Sequence, residues 1–249
     1  MKVFSTATQK GGTGKTTTAA TLYAGLILKG FKVLAIDLDP QANLSYSLNA
    51  DPEHKSALSL LTGEAKISEC MQPQGDSSII SASNALAGAD VFMTDTGKEY
   101  RLREALESLE NAFDYVVIDT PPQLGVLTVN ALTASDSVII PAQADIFSLQ
   151  GLDQLTRTID PIKKYCNKEL SIAGILLTRY NARTSLSRDI LAYTQKLADS
   201  LQTKVFNARI RESVTVKEAQ LNRQSLFEYA PKANVTADYA AFIDELTGE

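Results

Sequence analysis

A chain of 249 residues, 44% hydrophobic and 21% charged, is long enough to bury a sizeable core, and no apolar run in it reaches membrane-spanning length. With only two cysteines (Cys70 and Cys166) and one histidine (His54), it excludes a disulfide scaffold, a Cys/His zinc site and a histidine relay. The net charge of −5 argues against a polyanion partner for the molecule as a whole, but residues 163–223 hold twelve Lys/Arg against five Asp/Glu, a local balance of +7.

The start, Met1-Lys2-Val3-Phe4, enters a strand directly, without a charged leader and a long apolar stretch, and a cytoplasmic protein is expected. Lys2 to Thr8 mixes β-branched and aromatic residues, as a buried first strand does. Gln9-Lys10-Gly11-Gly12-Thr13-Gly14-Lys15-Thr16-Thr17-Thr18 follows, and then an amphipathic helix from Thr16 to Lys29 that Gly30 ends. Small, flexible residues between a strand and a helix let backbone N–H groups of Gly11, Gly12, Thr13, Gly14 and Thr17 converge on an anion at the helix N-terminus. Lys15 adds charge for outer phosphates, and the Thr16 hydroxyl is placed for Mg²⁺. The usual phosphate loop has Gly where this chain has Gln9, and a second lysine, Lys10, comes next.

Lys32 to Asp37 completes a βαβ unit, so the sheet is at least partly parallel. Asp39-Pro40-Gln41-Ala42-Asn43 then lies at the strand's C-terminal end, where open α/β sheets bind ligands. Asp37 and Asp39 share a face if the strand geometry persists, although Pro40 turns the chain nearby. Short helices are predicted over 57–61 and 66–71, a loop over 72–76, a strand over 77–82 and a helix over 100–111. Phe113 to Asp119 is a hydrophobic strand ending in an acid, before Thr120-Pro121-Pro122; such a carboxylate beside a phosphate loop binds Mg²⁺, usually through water. A helix over 127–134, a strand over 137–142, a sixth strand over 170–177, a helix over 186–201, a short strand over 204–208 and helices over 214–221 and 236–246 complete the series. No linker or repeat interrupts it, which makes residues 1–249 one domain: a twisted, mostly parallel sheet with helices on both faces.

Lys10-Gly11-Gly12-Thr13-Gly14-Lys15-Thr16-Thr17, Asp37-x-Asp39-Pro40-Gln41 and Asp119-x-Pro121-Pro122 together resemble the ParA/MinD family of ATPases, P-loop proteins with a deviant Walker A loop. The resemblance spans nearly the whole chain. It implies ATP and Mg²⁺ as cofactors and weak hydrolysis stimulated by a partner protein of the ParB type through a short basic peptide. Lys10 would reach across a homodimer to the partner's nucleotide, Lys15 and Asp39 would be catalytic with it, and Thr16, Asp39 and Asp119 would form the metal shell. Asp37 would hold the loop. Asn181, Ile210 and Arg211 fall where related proteins contact the base, and the stretch from Asp145 to Gly151, with Leu152, where they dimerise.

Partition proteins of this family bind double-stranded DNA without sequence preference as ATP dimers, which implies nucleoid association. Arg183 matches a family arginine. A second family arginine is Thr215 here, so Arg209, Arg211 or Lys217 would substitute. Without a helix-turn-helix region ahead of the loop, operator binding is not expected. Rival readings are a MinD-like ATPase that acts at a membrane surface or positions a protein assembly, a small-molecule ligase and an iron-sulfur reductase. The acidic last helix disfavours a membrane, Lys10 and the basic C-terminal half disfavour the ligase, and the placement of Cys70 and Cys166 disfavours the reductase.

Overall fold

The computed structural model describes residues 1–109 and 111–248; the side chains of residues 146–153 also lie outside the description. Seven strands form one sheet: β1 (Lys2–Thr6), β2 (Val33–Asp37), β3 (Met71–Gln74), β4 (Ser77–Ile80), β5 (Tyr115–Asp119), β6 (Ser137–Gln143) and β7 (Ser171–Thr178). Their order is β3-β4-β2-β5-β1-β6-β7. All neighbours are parallel except the β3/β4 pair. Helices of seven or more residues are α1 (Lys15–Leu28), α2 (Arg101–Glu107), α3 (Val126–Ala134), α4 (Ile146–Tyr165), α5 (Ser185–Ser200), α6 (Val214–Leu221) and α7 (Asn234–Thr247).

Side-chain alternation along the strands builds the two faces. On β2, Val33 and Ala35 pack with Leu22 and Leu26 of α1 and with Tyr239 and Phe242 of α7. Leu34 and Ile36 point the other way, into Leu102 of α2 and Leu127 of α3. Burying each such Leu or Ile contributes about 1.5–3 kcal/mol. On the other side of β1, Val138 and Ile140 of β6 meet Leu155 and Ile159 of α4 and Ile190 of α5. Helix α1 stops where Gly30, at φ +88°, donates to Ile27 O (2.9 Å) and Phe31 donates to Leu26 O (3.1 Å), the paired bonds of a glycine-terminated helix.

Two segments depart from the sequence reading. Residues 72–76, expected as a loop, contain most of β3, an antiparallel edge strand joined to β4 through Gly75-Asp76; the φ of +64° at Gly75 makes the tight turn possible. Pro73 is tolerated because β3 has an open edge. Residues 204–208, expected as a strand, make one parallel bridge, Val205 to Ile175. The pairing stops because the next amides, Asn207 N and Ala208 N, donate to Glu245 Oε2 on α7, at 2.7 and 3.1 Å. The expected interface at 145–152 falls outside the described side chains except for Asp145.

Candidate functional site

β1 lies inside the sheet, between β5 and β6, so its C-terminal end opens where connections leave in both directions, the crevice where α/β sheets hold ligands. The loop from β1 to α1 turns through Gly12 (φ +76°) and Gly14 (φ +97°). Gly14 is the N-cap of α1 and offers no side chain, leaving the first-turn N–H groups open to an anion. Carbonyls on the loop's outer side are held from two strands: Gln143 Nε2 donates to Gly12 O at 2.6 Å, and Thr178 Oγ1 donates to Thr13 O at 2.7 Å. A cleft of about 700 Å³ lies in front, lined on one wall by residues 11–17 with Asp39 and on the other by Ile210, Arg211, Ser213, Val216, Lys217 and Gln220.

Beneath the loop, two carboxylates, Asp119 and Asp39, act on one lysine, and a third, Asp37, acts on the first two. Lys15 is buried, which lowers its pKa, while the charges of Asp119 and then Asp39 raise it. Asp119 ends β5, fully buried; burial and then the charge of Asp37 push its pKa up to about 8, against the Thr16 hydroxyl, Lys15 and Thr6. Thr6 Oγ1 donates to Asp119 Oδ1 at 3.1 Å, but Asp119 Oδ2 has no hydrogen-bond partner among the described residues. Burial also pushes Asp37 up to about 6, opposed by donation from Ser45 N (2.8 Å), Ser45 Oγ (2.7 Å) and Asp39 N (3.1 Å). Asp37 is therefore the hub that folds the chain after β2, and it leaves Asp39 on the cleft, with Oδ1 accepting from Gln41 N at 3.0 Å.

A divalent cation would relieve this excess of negative charge. The unpartnered Asp119 oxygen, the Thr16 hydroxyl and the cleft-facing Asp39 suit magnesium, which takes few protein ligands and shares its shell with phosphate and water. Among the described residues no three His, Cys, Asp or Glu side chains group to hold a metal without such sharing.

The other expected site residues have varied settings. Lys10 pairs with Asp145 of its own chain, Nζ to Oδ2, at 2.6 Å. Ile210 and Arg211 line the cleft; Asn181 does not, and its Oδ1 accepts from Arg183 N at 3.1 Å. Of the four basic residues expected on DNA, Arg183 is exposed. Arg209 lies over the Tyr180 ring at 5.1 Å, with Nε buried and without a hydrogen-bond partner among the described residues. Arg211 forks onto Asp238, Nε to Oδ2 at 2.7 Å and Nη2 to Oδ1 at 2.8 Å. Lys217 lines the cleft. Sequence reasoning missed Ser45, Gln143, Thr178 and Gln220, polar residues without local motifs. A chain signal exists only for Gln143 and Thr178, which end strands at the ligand-binding edge of the sheet.

A family model described as an AAA domain matches residues 1–172. The chain is 36% identical over 251 residues to the sporulation initiation inhibitor protein Soj of Bacillus subtilis, covering 98% of each chain. It is 40% identical over 228 residues to the chromosome partitioning protein ParA of Caulobacter vibrioides, covering 88% of this chain and 84% of that one. Among solved structures, one from Mycobacterium smegmatis described as cobyrinic acid a,c-diamide synthase, with bound ATP analog and magnesium, is 35% identical. It superposes with a TM-score of 0.84 over 98% of this chain and 93% of that one. The seven-stranded sheet, the Lys10/Lys15 loop and these likenesses place the chain in the ParA/Soj family of P-loop ATPases.

Proposed function

We propose that the protein is an ATP-timed switch for DNA partition, which closes into a homodimer on ATP, holds DNA without sequence preference in that state and lets go on hydrolysis. The observation that carries this reading is the cluster at the loop: Lys15 buried and acted on by Asp119 and Asp39, with a second lysine, Lys10, at the loop's entrance. The open amides of α1 and Lys15 bind the phosphates, and Asp39, on the cleft, orients the attacking water. Thr16, Asp39 and Asp119 would hold magnesium, which when bound neutralises charge on the outer phosphates. A further cation in the transition state is worth orders of magnitude in rate in phosphoryl transfer, and Lys10 supplies it across the dimer. For that, its contact with Asp145 must open.

Arg183 and other basic residues of 163–223 supply phosphate contacts, which dimerisation doubles. A partner protein with a short basic peptide stimulates hydrolysis, and the dimer resides on the nucleoid in the cytoplasm. The membrane alternative is disfavoured by α7, whose apolar residues Val235, Tyr239, Phe242 and Ile243 are buried in the core and leave no apolar stripe for lipid. No described helix is long and apolar enough to cross a membrane.

The test is DNA binding by the wild type and Arg183→Ala with ATP, with ADP and without nucleotide, at two salt concentrations. Binding that requires ATP and weakens with salt is expected, with a shallower salt dependence for Arg183→Ala. Binding independent of nucleotide, or none, would refute the proposal.

A further inference from the structure

Helix α6 turns one face to the cleft. Ser213, just before it, and Val216, Lys217, Gln220 and Leu221 all line the cavity, at the spacing i, i+3, i+4, i+7 and i+8 of a single helical stripe. From this face Gln220 Nε2 donates to Thr17 Oγ1 at 3.0 Å, a bond between residues 203 positions apart. A hydroxyl has one proton and two lone pairs; the glutamine amide occupies a lone pair and leaves the proton for another acceptor. Among the described residues that proton has none. Thr17 is the third residue of α1, beside the open amides of the phosphate loop and on the cavity wall. One turn before Gln220 on the same stripe, Lys217 is exposed and has no ion pair among the described residues, whereas Arg211 is neutralised by Asp238.

We infer that the cleft-facing side of α6 is a nucleotide-binding wall: Gln220 positions the Thr17 hydroxyl so that its proton points at the nucleotide's phosphates, and Lys217 is a cationic ligand of the same nucleotide. This rests on the reading of the cleft as a nucleotide site. A cavity of about 700 Å³ takes a small anionic ligand and has no room for a duplex, so a lysine facing into it serves the nucleotide and leaves the DNA-contacting set. Glu212, which also lines the cleft, and Glu218, exposed beside Lys217, are the carboxylates nearest to this lysine in sequence on the same wall.

Fluorescent ADP and a fluorescent non-hydrolysable ATP analog would be titrated into the wild type, Lys217→Ala, Gln220→Met and Gln220→Glu, with melting curves without ligand confirming that each variant is folded. Lys217→Ala is expected to weaken both nucleotides about tenfold, as for a lost charge-assisted hydrogen bond. Its DNA binding at saturating ATP analog is expected to keep the wild-type salt slope. Gln220→Glu is expected to weaken binding more than Gln220→Met, because the carboxylate takes the Thr17 proton while the methionine only frees the hydroxyl. Wild-type nucleotide affinity in Lys217→Ala, a DNA salt slope reduced by about one in that variant, or equal affinities for the two Gln220 variants would overturn the inference and leave the cleft's assignment intact. Failure of the wild type to bind either nucleotide would instead overturn that assignment itself.

Discussion

The two walls of the cleft are built from different material. The loop wall is made of backbone and buried charge: glycines at φ +76° and +97°, carbonyls tied to Gln143 and Thr178, and Lys15 buried beside Asp119 and Asp39. The facing wall offers polar side chains to the cleft from α6 and the segment before it, with Arg211 tied to Asp238 and Lys217 exposed. One wall is preorganised before a ligand arrives, and the other is completed by it. Changes in the first should therefore disturb the empty protein as well as binding, and a change at exposed Lys217 in the second should act on binding alone.

The largest effect belongs to Lys15→Ala, expected to weaken ATP binding about a hundredfold by calorimetry, since a buried cation is removed from the phosphates. Next comes Asp119→Asn. Burial, and then the charge of Asp37, pushes the native carboxyl up to about 8 from its ordinary value of 3.8. The stability this group leaves to the empty protein is fully present below about pH 4 and declines as the pH rises towards 8, because the unfolded chain ionises first. Without nucleotide or magnesium, Asp119→Asn is expected to be more stable than wild type at pH 7 in urea unfolding. Its stability should also fall less between pH 5 and pH 8, and magnesium should tighten its nucleotide binding little. An Asn variant less stable than wild type at pH 7 would mean that the cluster is not electrostatically strained.

Smaller effects sharpen the contrast. Gly14→Ala places a β-carbon on a left-handed residue and is expected to cost about 1–2 kcal/mol in thermal unfolding, with Thr178 Cγ2 at an ordinary 3.5 Å from the new atom. Thr178→Val removes the hydroxyl that holds Thr13 O and should cost about 1 kcal/mol. On the facing wall, Lys217→Ala should leave unfolding within about 0.5 kcal/mol of wild type.

The same contrast explains what could be read from the chain. Phosphate binding by backbone requires glycines and a lysine in fixed sequence, and carboxylates at strand ends follow apolar runs, so Gly11 to Thr17, Asp37 and Asp119 are legible without a structure. Ser45 is not: it reaches Asp37 only because the chain after Pro40 folds back, eight residues on. Nor is the fate of the basic residues. Arg211 meets Asp238 27 positions away, and Lys217 faces the cleft because Gln220 anchors α6 to α1, contacts that charge counting along the chain cannot see. Edge strand β3 was hidden by its polar Gln72-Pro73-Gln74, and the strand expected at 204–208 was lost to Glu245, a competitor about 40 residues downstream.

In the proposed switch, Lys10 couples nucleotide to dimer. Light scattering on the wild type and Lys10→Ala, each saturated with a non-hydrolysable ATP analog or with ADP, tests it most directly. The wild type is expected to double its mass with the ATP analog and to remain a monomer with ADP, while Lys10→Ala stays monomeric with both. A Lys10→Ala protein that binds the ATP analog and dimerises like the wild type would contradict the claim.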